Sequence, residues 1–131
     1  MVERINIKKV MTKKVISCSP EKTIVEAATV MNKNSIGVLV VLDKKKLVGV
    51  ISERDIINKV VSKRLDITKT LVKDVMTKKV ITGTPEMTDL DVARIFSTKK
   101  IKKLPILKDG KVVGIITQTD MLKLMSFKWA L

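Results

Sequence analysis

Histidine is absent from this chain of 131 residues, and cysteine occurs once, as Cys18. A zinc site would have to be assembled from carboxylates and a single thiol, and no intrachain disulfide can form. Aromatic residues are almost as scarce: Phe96, Phe127 and Trp129 are all there are. That leaves single-stranded nucleic acid without the stacking platforms it normally uses. No apolar run approaches the ~18 residues needed to span a membrane. The opening Met1-Val2-Glu3-Arg4-Ile5 lacks the apolar block of a signal peptide, so the expected location is cytoplasmic. There is no glycine-rich phosphate loop ahead of a Lys-Ser/Thr pair and no carboxylate cluster, so catalysis is not expected, and no cofactor or metal with it.

What is present is a lysine-rich, core-forming chain. Apolar residues make up 45%, enough to bury a core, and 27 basic residues against 13 acidic ones give a net charge of +14. Such an excess concentrates polyanions, whether nucleic acid, nucleotide or anionic surface, and it equally serves as a solubilising coat. The lysines recur as pairs and triplets in both halves (Lys13-Lys14, Lys44-Lys45-Lys46, Lys78-Lys79, Lys99-Lys100, Lys102-Lys103) instead of forming one basic arm. Cys18 reads as a small packing residue rather than a nucleophile, and Met11 and Met76 as core contacts.

The strongest feature is an internal repeat. Val10–Ile56 aligns with Val75–Met121 without a gap, and Val10-Met11-Thr12-Lys13-Lys14-Val15-Ile16 recurs unchanged from Val75 to Ile81. Roughly two positions in five are identical, the mark of a duplicated supersecondary unit. The boundaries expected are residues 7–64 for the first repeat, 65–70 for a connector, 71–126 for the second repeat and 127–131 for a tail.

Within a unit, Val15-Ile16-Ser17 is expected as a short strand. Thr23 with Glu26, and Thr88 with Asp91, cap a helix whose apolar stripe is Ile24, Ala27, Ala28 and Met31 in the first copy. In the second copy Asp89 replaces Ile24, and Val92, Ala93 and Phe96 carry the stripe. Two apolar strands follow, 37–42 with 47–52 and 104–107 with 112–117; Asp109-Gly110 is a strong hairpin signal. Both runs are apolar at nearly every position, which predicts a sheet covered on both faces. A last helix starts at Ser52 or Thr117, with Ile56, Ile57, Val60 and Val61, or Met121, Leu122 and Met125, as apolar positions. Each unit reads strand–helix–strand–strand–helix. The tail, with two of the three aromatics, is expected to pack onto the helices or onto a second chain.

Each last helix opens on a Ser/Thr-x-x-Asp turn, Ser52-Glu53-Arg54-Asp55 and Thr117-Gln118-Thr119-Asp120. A carboxylate there can accept from two vicinal ribose hydroxyls, and free N–H groups at a helix start favour an anion. The same four residues are close to a capping box that needs no ligand. The two roles are compatible.

This β-α-β-β-α unit in two copies closely resembles the CBS domain, and the pair resembles a Bateman module. The resemblance rests on Val10-Met11-Thr12 leading to Val15-Ile16-Ser17, on Pro20, Thr23, Glu26-Ala27-Ala28 and Met31, on Ile101-Lys102-Lys103-Leu104-Pro105-Ile106, and on the two Gly-x-Ile-Ser/Thr-x-x-Asp turns. It implies an α/β (α+β) fold of two tandem repeats packed through their sheets with pseudo-twofold symmetry. It also implies a non-catalytic regulatory module that binds an adenine nucleotide such as AMP, ADP or ATP, or S-adenosylmethionine, in clefts between repeats, and that forms a homodimer acting on an unidentified protein.

Carried over by resemblance, one cleft uses Val50, Ser52, Arg54 and Asp55 with Lys102 and Lys103. The other uses Ile115, Thr117, Thr119 and Asp120 with Ile36, Gly37 and Val38. Only the first gains a lysine pair for phosphate, so the Asp55 site is expected to be the stronger. The competing function is a nucleic-acid-associated protein that works through its basic surface.

Overall fold

The computed structural model describes residues 3–129, with side chains as far as residue 126. The chain divides into two compact units, one formed by residues 16–80 and the other by residues 1–15 together with 81–131. Neither unit is a sequence repeat. Each consists of the body of one repeat and the lead-in segment of the other. The tail Phe127–Leu131, with its expected packing, lies outside the residues whose side chains are described.

In the unit of residues 16–80, a two-residue strand β1 (Ser17–Cys18) precedes helix α1 (Ile24–Asn34). Thr23 caps α1: its hydroxyl accepts from Glu26 N at 3.2 Å, and the Glu26 carboxylate accepts from Thr23 N at 3.0 Å. Two further N–H groups of the first turn, on Ile24 and Val25, donate to Thr70 O and Ile67 O, so the connector completes the cap. Strands β2 (Val38–Asp43) and β3 (Lys46–Ser52) form an antiparallel hairpin, with β1 parallel to β2 through Ser17–Val40 and Cys18–Val41. The two residues of its turn, Lys44 and Lys45, both have positive φ, 50° and 70°. A two-residue loop needs that backbone to match strand twist, and here no glycine supplies it.

Helix α2 (Glu53–Ile56) runs on into a π-helical turn, Ile57–Val61, and α3 (Val72–Val75) brings the chain back to the sheet. Ile24, Ala27, Met31, Leu39, Val41, Ile51, Val60, Val72 and Val75 form the core. Val40 is buried too, on the opposite face by strand alternation, as the expectation of a doubly covered sheet requires.

The other unit repeats the plan with α4 (Asp89–Lys99), β4 (Lys103–Lys108), β5 (Lys111–Thr117) and α5 (Gln118–Trp129). Its hairpin has the same register and the same irregularity, between Ile106 and Leu107 where the first has it between Val41 and Leu42. Its turn, Asp109-Gly110, has φ of 53° and 77°. Ile7, in a 3-10 turn, enters this core with Val92, Phe96, Leu104, Ile106, Ile116 and Met121. Asp89 is buried because its carboxylate accepts from Ile5 N at 3.1 Å and Leu90 N at 3.0 Å. The apolar stripe of α4 therefore starts at Val92.

Three local expectations are corrected. Val15 and Ile16 both lie outside the first strand, which is Ser17–Cys18 alone, and the chain passes from one unit to the other between Val15 and Ile16. The second copy of that strand shrinks to a single parallel bridge, Gly83–Ile106. Gly83 stands where the first copy has Cys18 and offers no side chain to pack, which weakens a strand. The apolar positions of the last helices are not all core: Val60 and Met121 are buried, whereas Ile57, Val61, Leu122 and Met125 are exposed. Among the described residues, no helix is long and apolar enough to cross a membrane.

Candidate functional site

Strand β3 delivers the chain to Ser52, whose extended backbone lets it cap α2. The Ser52 hydroxyl accepts from Asp55 N at 3.1 Å and donates to Asp55 Oδ2 at 3.1 Å, while Ser52 N donates to Oδ2 at 3.0 Å. The remaining oxygen, Oδ1, accepts from Lys59 Nζ at 2.9 Å. Thr77 completes the shell: its hydroxyl lies 3.2 Å from Oδ1 and 3.4 Å from Oδ2. Asp55 is thus 9% exposed yet fully partnered. Burial on its own would raise its pKa; hydrogen bonds from Lys59 and Ser52, with the Lys59 charge, outweigh burial and hold it below the ordinary value.

Lys59 lies in the π-helical turn and also donates to Val75 O at 2.9 Å. Thr77 is positioned by backbone pairing, Val50 N to Thr77 O at 3.0 Å and Thr77 N to Val50 O at 2.8 Å. Gly49 permits this close approach. A Cβ there would lie 2.7 Å from Met76 Sδ and 2.9 Å from Thr77 O.

The Asp120 turn has the same backbone and a different shell. Thr117 N donates to Asp120 Oδ2 at 2.9 Å, and Asp120 N donates to the Thr117 hydroxyl at 3.0 Å. Thr12 pairs with Ile115 as Thr77 does with Val50, N to O at 2.9 Å in both directions. Among the described residues, Asp120 forms no ion pair and its Oδ1 accepts no hydrogen bond. Leu124 occupies the position that Lys59 holds in the first copy.

The residues singled out from the sequence fall into two sets. Val50, Ser52, Arg54 and Asp55 share a unit with Ile36, Gly37 and Val38: Val38 is opposite Ser52, and Glu53 N donates to Gly37 O at 2.9 Å. Ile115, Thr117, Thr119 and Asp120 share a unit with Lys102 and Lys103: Lys103 is opposite Thr117, and Gln118 N donates to Lys102 O at 2.9 Å. Arg54, Thr119 and Lys102 are exposed. The cross-pairing expected from resemblance joins residues of different units.

Lys59 and Thr77 had not been singled out. The spacing of Asp55 and Lys59, four apart on a helix, was a usable signal. Thr77 is 22 residues away from Asp55, and only tertiary structure brings it there. The backbone N–H and C=O of Val50 and Ile115 are used by Thr77 and Thr12, so these two residues offer a ligand their side chains. Cys18 packs against the core, and burial raises its thiol pKa although Lys22 opposes the shift, which disfavours the thiolate. A cavity of about 420 Å³ lies between α1 and the α2 turn, lined by Met31, Ile36, Glu53, Ile56 and Ile57 among others, and does not include Asp55.

Comparison with known proteins adds the family. The CBS-domain model matches residues 7–62 and 72–126. An uncharacterised protein of Methanopyrus kandleri, MK0525, is 36% identical over 91% of this chain, which spans 62% of that protein's length. The CBS domain-containing protein YhcV of Bacillus subtilis is 31% identical over 88% of this chain and 82% of its own. Among solved structures, the CBS domain pair of protein MJ0100, in complex with 5-methylthioadenosine and S-adenosyl-L-methionine, superposes with a TM-score of 0.87 at 30% identity, covering 96% of this chain and 99% of that one. The tandem repeat, its hairpins and its two capped turns are those of two successive CBS domains, and the chain belongs to the CBS-domain family.

Proposed function

We propose that the chain is a ligand-sensing regulatory module that binds an adenosine-containing molecule at its Ser/Thr-x-x-Asp turns and relays occupancy to a partner protein without catalysis. The single observation that carries this reading is the pair of carboxylates, Asp55 and Asp120. Each is held by its capping hydroxyl residue at the end of an apolar strand, in a fold shared with a domain pair that binds two adenosyl compounds. A carboxylate in that setting suits vicinal ribose hydroxyls, and an apolar strand suits a purine face. Adenine nucleotides, AMP, ADP or ATP, are the proposed ligands because the chain carries a +14 excess, which favours phosphate. Lys102 and Lys103 are assigned to that phosphate by resemblance.

A second reading, an S-adenosylmethionine sensor, is favoured by the ligands of MJ0100 and by the open Asp120 carboxylate, which suits a sulfonium ligand. Thermal-shift titration with AMP, ATP, 5-methylthioadenosine and S-adenosylmethionine decides between them, since a specific ligand raises Tm by mass action. A rise with AMP or ATP supports the first reading, a rise with the adenosyl compounds alone the second. No rise with any of them overturns both. The proposal includes association of two chains, supported by exposed apolar residues at equivalent places in both copies, Ile57 and Leu122.

A further inference from the structure

Asp55 and Asp120 differ in what already occupies them. A carboxylate has about four lone-pair sites, and Asp55 is met by four donors: Ser52 N, the Ser52 hydroxyl, the Thr77 hydroxyl and Lys59 Nζ. A vicinal diol needs two acceptors, so it can enter only if donors withdraw. Ser52 is fixed by its part in the cap. The Thr77 hydroxyl sits at the long end of the range and can rotate away. Lys59 is the remaining donor that can leave: its side chain is 45% exposed, on a flexible stem.

We infer that Lys59 is an exchangeable latch that makes the Asp55 turn selective for phosphorylated adenosine ligands over the free nucleoside. The inference rests on the proposed adenosine binding at that turn. In the unliganded protein Lys59 neutralises Asp55. A ribose diol displaces the ammonium, which stays tethered nearby. A ligand phosphate takes up the released charge, whereas a nucleoside breaks the ion pair and returns nothing.

Charges within the two turns and their lead-in segments do not provide this difference, and Lys102-Lys103, assigned to phosphate by resemblance, is present whether or not Lys59 is replaced. Glu53 and Arg54 replace Gln118 and Thr119, and their charges cancel; Lys78-Lys79 after Thr77 has its equal in Lys13-Lys14 after Thr12. Lys123, one position before the equivalent of Lys59, forms no ion pair with Asp120 among the described residues.

The test uses the full chain carrying Asp120→Ala, so that only the Asp55 turn is read, with and without Lys59→Met, and calorimetric titration of adenosine and AMP. The expected result is AMP tighter than adenosine by about tenfold or more with Lys59 present, the worth of one charge-assisted contact. Lys59→Met should then weaken AMP and tighten adenosine, and Lys59→Arg should keep the preference. If Lys59→Met weakens both ligands by the same factor, or leaves the ratio unchanged, Lys59 is only structural and the latch is wrong. Binding of neither ligand to the unsubstituted chain overturns the adenosine reading itself, which is a distinguishable failure. Should Lys59→Met melt far below its parent, Lys59→Gln, with a polar end and no charge, gives the same reading.

Discussion

Two residues carry most of the local energetics around the first turn, Asp55 and Gly49. Asp55, the N3 residue, completes the capping box of α2 begun by Ser52 and pairs with Lys59. Asp55→Ala should therefore cost about 1–2 kcal/mol in urea unfolding at pH 7, comparable to the loss of a cap. Its lowered folded pKa lies beneath the unfolded value of about 3.9. Its stabilisation is therefore complete above about pH 4 and is lost as pH falls through the folded value. Urea midpoints at pH 7 and pH 3 should differ less in Asp55→Asn than in the parent; an undiminished difference would assign the acid sensitivity elsewhere. Gly49→Ala should destabilise by about 1–3 kcal/mol, as overpacking does. A Cβ there can push aside the Met76 thioether but not the Thr77 carbonyl, 2.9 Å away.

Among the elements, the two hairpins do the same job with different chemistry. Asp109-Gly110 adopts its positive φ values with a glycine at the second position, whereas Lys44-Lys45 forces two lysines into the left-handed region. A non-glycine residue there costs roughly 1–2 kcal/mol. Lys45→Gly is therefore expected to raise stability by about 1 kcal/mol and Tm by a few degrees, measured by thermal unfolding. A fall in Tm would show that the lysine side chain contributes packing. The helix starts need no such repair, since Thr23 with Glu26 and Thr88 with Asp91 form complete capping boxes. The second copy of the first strand fared worse, since two residues of Ser17–Cys18 pairing became the single bridge at Gly83.

For the molecule as a whole, the exchange of lead-in segments matters most. The stretch 16–80 is continuous and holds its whole core, including Val72 and Val75, together with Thr77. The sequence repeat 7–64 lacks all three. A fragment spanning 16–80 should unfold cooperatively, while 7–64 should not; equal behaviour of the two in thermal circular dichroism would refute this account. Association belongs to the same scale. Ile57 and Leu122 are 58% and 65% exposed and stand at equivalent positions of the two copies. The double variant Ile57→Glu with Leu122→Glu should sediment as a monomer and keep the parent Tm to within a few degrees, whereas the parent should sediment as a dimer.

Much of the fold was legible from residue types alone. Period-3.6 stripes, capping boxes, the Asp-Gly turn and an ungapped repeat are local signals, and they reflect sterics and hydrogen bonding within a few residues. The turns of the candidate site were legible for the same reason, because the Ser/Thr and the Asp lie three positions apart. Tertiary structure decided the rest. The partner of Val50, the Thr77 hydroxyl on Asp55 and the entry of Ile7 and Val72 into the opposite copies' cores depend on chain segments remote in sequence. Lead-in segments that share Val-Met-Thr-Lys-Lys-Val-Ile cannot reveal which copy they pair with. The four-residue spacing of Asp55 and Lys59 was visible in the sequence. Only the folded chain brings Val75 O to the same ammonium and leaves Asp120 without an ion pair to Lys123, three residues on, among the described residues.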